Sequence, residues 1–529
     1  MAAPNASYDP QGIPIEMVGG NKFGRYSKIS DEQTFNMIVS DGWLVDYAGY
    51  KMTIPQSPNS KGRALYVSTR GNLMIAVLGN TVYRIDQNLE ATAIVGGLLA
   101  TTSGQVYINE NNNAEITLSD GLYLYVYNWV NGTFVQLSST QFPFQNPGYI
   151  GFQNGRLIVA ILGTTNWVLS APNDATSWPT GSANVASLQT KPDTVQAAFP
   201  MPGRGNMLMV FGSNVGEQWT DAGQAKFPYV RATSFNIDYG CINAATIATL
   251  DHLVMWLATN EQSGVVLMQS DGGSIKEIST DGINFKFSTL TAPQDCIGFL
   301  YKLDGHLIYQ FTFTTDNLTY LYDISTEIFF TATDENMNYH IARQVVLFNN
   351  KYYFVSINGG NIYEIGTKFT AYDYGFGNIY EIPRIRITPP FRLPTQRNFI
   401  IKKVAFTAEN GQPNTFTKVI TQSGQTGTQI ATESGLNIAT ESGDLIDTEG
   451  DTSAETTYLI SNMRIDLSIS RNGAESFGSS YGLDMNPTGK YRNMINFQRL
   501  GQANDVTLQF RFWGYSRYAV TDGIMEIFQ

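Results

Sequence analysis

The chain has 529 residues, 43% of them hydrophobic, 12% aromatic and only 15% charged, with a formal net charge of −12. That length and apolar content allow either one large repeat array or two to three domains. The acidic balance makes the chain a poor partner for a phosphate backbone, because such binding draws mainly on Lys and Arg.

The longest apolar runs, such as Leu157 to Leu162, fall far short of a membrane span. No signal peptide is expected, since Met-Ala-Ala-Pro-Asn-Ala-Ser-Tyr at the start has neither a charged n-region nor an apolar h-region. Cys241 and Cys296 give no disulfide framework and no metal-ligand spacing, and are read as small buried hydrophobes. No cofactor and no metal is expected.

Residues 1–64 are irregular and rich in Gly, Pro, Asn and Ser. Phe23-Gly24-Arg25-Tyr26 and Thr34-Phe35-Asn36-Met37 are short aromatic-bearing pieces, and Gly42-Trp43-Leu44-Val45 is a candidate strand. We read this region as an N-terminal arm that packs on other parts of the chain or on other subunits.

A repeat begins at residue 65. Seven apolar, strand-like runs align: Leu73–Leu78, Leu122–Tyr127, Leu157–Leu162, Met207–Phe211, Leu253–Leu257, Leu307–Phe311 and Tyr352–Val355. Most follow a Gly, Asn or Asp that suits a tight turn, as in Asn154-Gly155, Asp304-Gly305 and Asn349-Asn350. Most precede a second strand ending in an aromatic, as in the hairpin from Gly203 to Trp219. Several strands per unit at a period of roughly 40–50 residues predict a β-propeller, here of about seven irregular blades over residues 65–385. One blade cannot cover both faces of its sheet, whereas a ring of them can.

The pattern changes at Ile382-Pro-Arg-Ile-Arg-Ile-Thr-Pro-Pro390, where adjacent prolines disfavour strand pairing. Residues 386–529 read as a small C-terminal β-sandwich, with strands expected at Lys402–Ala408, Met463–Ile469, Met494–Leu500, Val506–Trp513 and Ile524–Phe528. Inside it lies an acidic octad repeat, Ile430-Ala-Thr-Glu-Ser-Gly-Leu-Asn437 followed by Ile438-Ala-Thr-Glu-Ser-Gly-Asp-Leu445. Residues 421–457 hold seven carboxylates, no basic residue and no aromatic. They read either as a solvated loop or as a short β-ladder with Gly at each turn. Burial would leave the carboxylates unpaired, so Glu433, Glu441, Asp444, Asp447, Glu449 and Asp451 are the candidate channel or partner surface.

Catalysis finds little support. His252 and His306 open core strands and His340 precedes one, positions where local hydrogen bonds usually satisfy the ring. No nucleophile elbow, zinc-protease helix or P-loop motif occurs. Ser279-Thr-Asp-Gly-Ile-Asn-Phe285 and Ser470-Arg-Asn-Gly-Ala-Glu-Ser-Phe477 have a faint likeness to the Asp-box turn of sialidases, but both lack its Trp. Each is expected to be an ordinary hairpin turn. The abundant Tyr and Phe sit inside strand patterns with few Lys or Arg nearby, which favours core packing over base stacking.

The order of short segments along most of the chain carries a family resemblance. It includes Leu44-Val45-Asp46-Tyr47-Ala48-Gly49-Tyr50, Arg63-Ala-Leu-Tyr66, Asn154-Gly155-Arg156 and Leu169-Ser-Ala-Pro-Asn-Asp-Ala-Thr-Ser-Trp178. It continues with Met209-Val-Phe-Gly-Ser213, Tyr239-Gly240-Cys241, Ile387-Thr-Pro-Pro390 and Phe497-Gln-Arg-Leu-Gly501. In these the chain resembles the packaged-DNA stabilization proteins of short-tailed bacteriophages, the family that forms the tail hub or nozzle. The acidic insertion departs from that pattern.

The resemblance implies a non-enzymatic virion component of the tail, assembled in the host bacterial cytoplasm. It implies a homohexameric ring below the portal and its adaptor that closes the DNA channel and holds tail fibres, spikes or a needle. Double-stranded DNA would pass without specific binding, and a −12 subunit repels it. The competing readings are a propeller-type glycosidase or glycan-binding protein, and a scaffold of cellular origin. The first needs a carboxylate pair in a cleft, and the second does not fit the motif order.

Overall fold

A strand that is apolar at every position is stable only with both faces covered, because successive side chains point to opposite sides. Leu73–Leu78 is such a strand. Its Leu73, Ile75 and Val77 pack on the following sheet beside Ile116, Leu118 and Tyr125. Its Met74, Ala76 and Leu78 pack the other way, beside Phe348, Tyr353 and Val355. Met209 and Phe211 are divided from Leu208 and Val210 in the same manner, as are Val254 and Trp256 from Met255 and Leu257.

The structure, a computed structural model, describes residues 11–24, 31–56, 60–224, 227–410, 416–420, 455–459, 463–485 and 492–528. Among the described residues, seven antiparallel sheets follow one another, spanning 62–98, 107–136, 147–187, 195–237, 248–277, 297–331 and 342–366. An apolar cluster lies between each successive pair, and a seventh cluster joins the last sheet back to the first. The ring is closed: the fold is a seven-bladed β-propeller.

The turns before the apolar runs have a clear backbone reason. Asn154-Gly155 (φ 49° and 78°) and Asp304-Gly305 (φ 45° and 90°) both hold two successive left-handed residues between a blade's first and second strands. That is the turn whose twist matches paired strands, and it favours Asn, Asp and Gly.

Two sequence expectations are corrected. Six of the seven aligned runs are the second strands of their blades, but Leu122–Tyr127 falls on the third strand of blade 2, Leu124–Asn128. The second strand there is Glu115–Ser119, whose buried Thr117 and Ser119 break the apolar run. The Ser119 hydroxyl donates to the Pro147 carbonyl of the next blade at 2.6 Å. With Glu115 in place, uneven steps of 49 and 35 from Leu73 to Leu157 become two steps of 42. The second correction concerns Ser279–Phe285, which is no hairpin turn. It enters a helix, Asp281–Ser288, whose N-terminus is capped by the Thr280 side chain accepting from the Ile283 amide. Ile283 and Phe287, one turn apart, fill the space between blades 5 and 6.

Beyond the propeller two sheets face each other across a core that includes Phe406, Ile465, Leu467, Phe497 and Phe510. One sheet runs in the order Met37–Ser40, Trp43–Asp46, Tyr518–Phe528, Phe399–Asn410, Arg492–Ala503, with Gln11–Ile15 also paired to Tyr518–Phe528. The other holds Arg384–Ile387, Asp505–Trp513, Arg464–Ser470 and Tyr481–Asp484. This is a β-sandwich, and Ser470–Phe477 lies in the connection between two of its antiparallel strands.

The described residues of the N-terminal region are stitched into both bodies. Gly49–Ile54 is the outer strand of blade 7, antiparallel to Ile362–Gly366. Gln33–Phe35 pairs with Arg384–Ile387 on one side and, at Phe35 opposite Thr331, with blade 6 on the other. One continuous sheet therefore joins propeller to sandwich. Two buried ion pairs hold this seam: Arg384 Nε to Asp46 Oδ1 at 2.7 Å, and Arg386 to Glu32. Arg386 also donates to the carbonyls of Glu16, Met17 and Gly20 and to the Thr34 hydroxyl, so its remaining protons are used.

Candidate functional site

The first strands of the blades surround a central cavity of about 310 Å³. Tyr66, Gln105, Tyr107, Asn109, Arg343 and Gln344 bring polar groups to its wall. The Arg343 guanidinium donates to the Arg63 carbonyl at 2.9 Å and to Gln105 Oε1 at 2.8 Å. Burial, together with the nearby Arg63 charge, draws its pKa down to about 10. Arg63 is itself buried and donates five hydrogen bonds, four to the carbonyls of Gly79, Thr101, Ser103 and Gly104 and one to the Thr101 hydroxyl. It fastens the 99–106 crossover from blade 1 to blade 2. A cavity of this size cannot admit a duplex whose major groove alone is about 12 Å wide.

A second concavity, about 410 Å³, lies where blade 6 meets the N-terminal hairpin of the sandwich. Ile38, Ser40, Trp43, Leu303, His306 and Arg517 are among its walls. His306 opens the strand His306–Phe313, as the sequence indicates, but its partners are not only local. Its Nδ1 is 2.7 Å from Asp323 Oδ2 on the neighbouring strand, and its Nε2 is 3.0 Å from the Ser40 hydroxyl of the hairpin. Asp323 is 1% exposed and accepts further hydrogen bonds from the Ser325 amide and the Thr326 hydroxyl, both 2.9 Å. Ser40 ends its strand at the turn Asp41-Gly42 (φ 50° and 79°). Sequence reading missed this grouping: Ser40 and His306 are 266 residues apart, and no local motif announces either.

His340 is a different case. It is buried among the rings of Tyr47, Tyr50, Phe354 and Tyr372, with Nδ1 3.1 Å from the Gln310 amide nitrogen. Burial lowers its pKa to about 3, so it stays neutral. Both cysteines are buried, and burial pushes the Cys241 thiol up to about 12. Among the described residues no group of three His, Cys, Asp or Glu is placed to hold a metal ion. Among the described residues no helix is long and apolar enough to cross a membrane.

Glu433, Glu441, Asp444, Asp447, Glu449 and Asp451 lie outside the described residues. The strands at the two ends of their segment are described: Phe416–Ile420 pairs antiparallel with Glu455–Leu459.

A sequence model of the family described as Bacteriophage P22 Gp10, beta-propeller, matches residues 32–329, more than half of the chain. The chain belongs to this family. The match on this phage propeller opens one residue before Gln33–Phe35 and ends inside Ile328–Thr331, the two strands that pair with each other at the seam. It spans Ser40, His306 and Asp323. No curated protein matches the phage propeller.

Among solved structures, a virginiamycin B lyase from Staphylococcus aureus with quinupristin is 11% identical, covering 60% of this chain and 99% of that one at a TM-score of 0.41. The extracellular domain of BT4673 from B. thetaiotaomicron is 12% identical, covering 60% of this chain and 39% of that one, also at 0.41. U3-55K is 7% identical, covering 60% and 98% at 0.38. Likeness at these scores bears on no activity of the phage propeller.

Proposed function

We propose that this protein is a structural component of the tail of a short-tailed phage. Several copies, six by the family resemblance, close into a hub or nozzle ring below the portal and adaptor. The ring extends the DNA channel, retains the packaged DNA and anchors receptor-binding tail parts. Membership of the Gp10 propeller family is the observation that carries this reading.

Physical features support it. The small central cavity, about 310 Å³, supports a channel between subunits and not within one propeller, an arrangement that heterologous contacts which close can provide. A net charge of −12 per subunit gives a ring field that discourages adhesion of the passing DNA. The acidic insertion at 421–457 belongs, on this reading, at the channel mouth, where repulsion accounts for its lack of Lys and Arg.

The experiment is a phage in which the gene is interrupted. Heads should fill and then lose their DNA, and addition of purified protein to adaptor-bearing heads should restore retention. Stable, DNA-filled, infectious particles without the protein would contradict the reading.

A further inference from the structure

We propose that Ser40, His306 and Asp323 form an acyl-transfer triad that hydrolyses small O-acyl esters in the concavity between blade 6 and the sandwich. This does not rest on the virion role.

The atoms are joined in the order the chemistry needs. A carboxylate on Nδ1 fixes the tautomer with its proton there and leaves the Nε2 lone pair facing the serine hydroxyl. Asp323 Oδ2 sits 2.7 Å from Nδ1, and Ser40 Oγ sits 3.0 Å from Nε2. Asp323 is clamped by the Ser325 amide and the Thr326 hydroxyl. Among the described residues its only ion-pair partner is His306, so its charge is available to an imidazolium formed during reaction.

The surroundings add the other requirements. Ser40 and His306 both line the roughly 410 Å³ concavity, while Asp323 lies behind them. Ile38, Trp43 and Leu303 offer an apolar wall for an acyl group, and Arg517 together with Asp41, Asp304 and Glu409 gives the concavity a charged, polar rim for its carrier. The amides of Asp41 and Gly42, next to the nucleophile in a left-handed turn, make no hydrogen bond within the described residues. A free amide immediately after the nucleophile is a recurring oxyanion donor.

In the first step Ser40 Oγ bonds to the ester carbonyl carbon and its proton passes to His306 Nε2. The bond to the alkoxy oxygen breaks, and His306 gives the proton to the leaving alcohol. In the second step water attacks the acyl-serine, again through His306, releasing the carboxylic acid and restoring the Ser40 hydroxyl. Ester and water become acid and alcohol, with no further reactant. Ser40 and His306 are the catalytic residues, and Asp323 is a positioning residue.

The test uses the purified full chain with p-nitrophenyl acetate as substrate and a fluorophosphonate as covalent probe. Saturable nitrophenol release is expected, with phosphonylation at Ser40 located by peptide mass. Ser40→Ala should abolish labelling and lower turnover at least about 100-fold. Asp323→Asn should lower turnover by about 10² to 10⁴ and displace the pH–rate profile, which a purely structural hydrogen bond would not do. Thermal melting of each variant shows whether the fold is kept. Equal hydrolysis by wild type and a folded Ser40→Ala variant would overturn the proposal. So would wild-type protein with its native melting curve and an unlabelled Ser40.

Discussion

His340 shows how burial sets a pH dependence. Its pKa in the fold, about 3, lies below the ordinary 6.5 because an imidazolium among four aromatic rings would lose its hydration. Below about pH 6.5 the unfolded chain binds a proton that the folded chain does not. The stability tied to this residue is therefore full above pH 6.5 and is lost as pH falls toward 3. Urea unfolding of wild type and His340→Gln at a series of pH values measures it. Between pH 6 and 4 the wild type should lose roughly 1.4 kcal/mol more per pH unit than the variant. Parallel losses would show that His340 is not the group responsible. The seam arginines follow similar physics: removing Arg386 would leave the buried Glu32 carboxylate with only its 3.4 Å pair to the exposed Lys22, the costly half of a broken pair.

At the scale of elements, Gly49–Ile54 decides whether the ring closes. Tyr50 in this strand is fully buried, stacked on Tyr372 at 4.4 Å, with its hydroxyl 2.7 Å from that of Tyr374. Tyr50→Ala should cost about 3–5 kcal/mol, as for other large buried rings. Because each blade is covered by its neighbours, the loss should appear in one cooperative transition, with near-UV and far-UV circular dichroism coinciding. A separate early transition would mean that blade 7 can open alone. The sequence revealed six second strands because burial on both faces demands unbroken apolar runs, as in Leu73–Leu78. Blade 2 stayed hidden because the buried Thr117 and Ser119 interrupt its apolar run, Ser119 donating instead to the Pro147 carbonyl of the next blade. The helix Asp281–Ser288 was obscured by its Ser-Thr-Asp-Gly start, which serves a cap as well as a turn. The sharing of the N-terminal strands between two bodies was illegible, since pairings such as Phe35 with Thr331 leave no local pattern. The Ser40–His306 contact was hidden for the same reason.

For the whole molecule, the acidic insertion provides a functional test of the channel reading. Replacing Glu433, Glu441, Asp444, Asp447, Glu449 and Asp451 with Gln or Asn removes six charges per subunit. Particles should still assemble, but DNA release should become slower and salt-sensitive, because exposed charges act over about 10 Å at 0.1 M salt. Normal release with missing fibres or spikes would place the segment on the outer face instead. The central claim is that copies of this propeller ring the DNA path of a phage tail. Electron cryomicroscopy of the intact particle, with the chain traced into tail density, tests it most directly. The expected result is six copies in a closed, sixfold ring around the channel below the adaptor, each propeller lying beside the DNA and not around it. A single copy per particle, or a tail without this chain, would contradict the account.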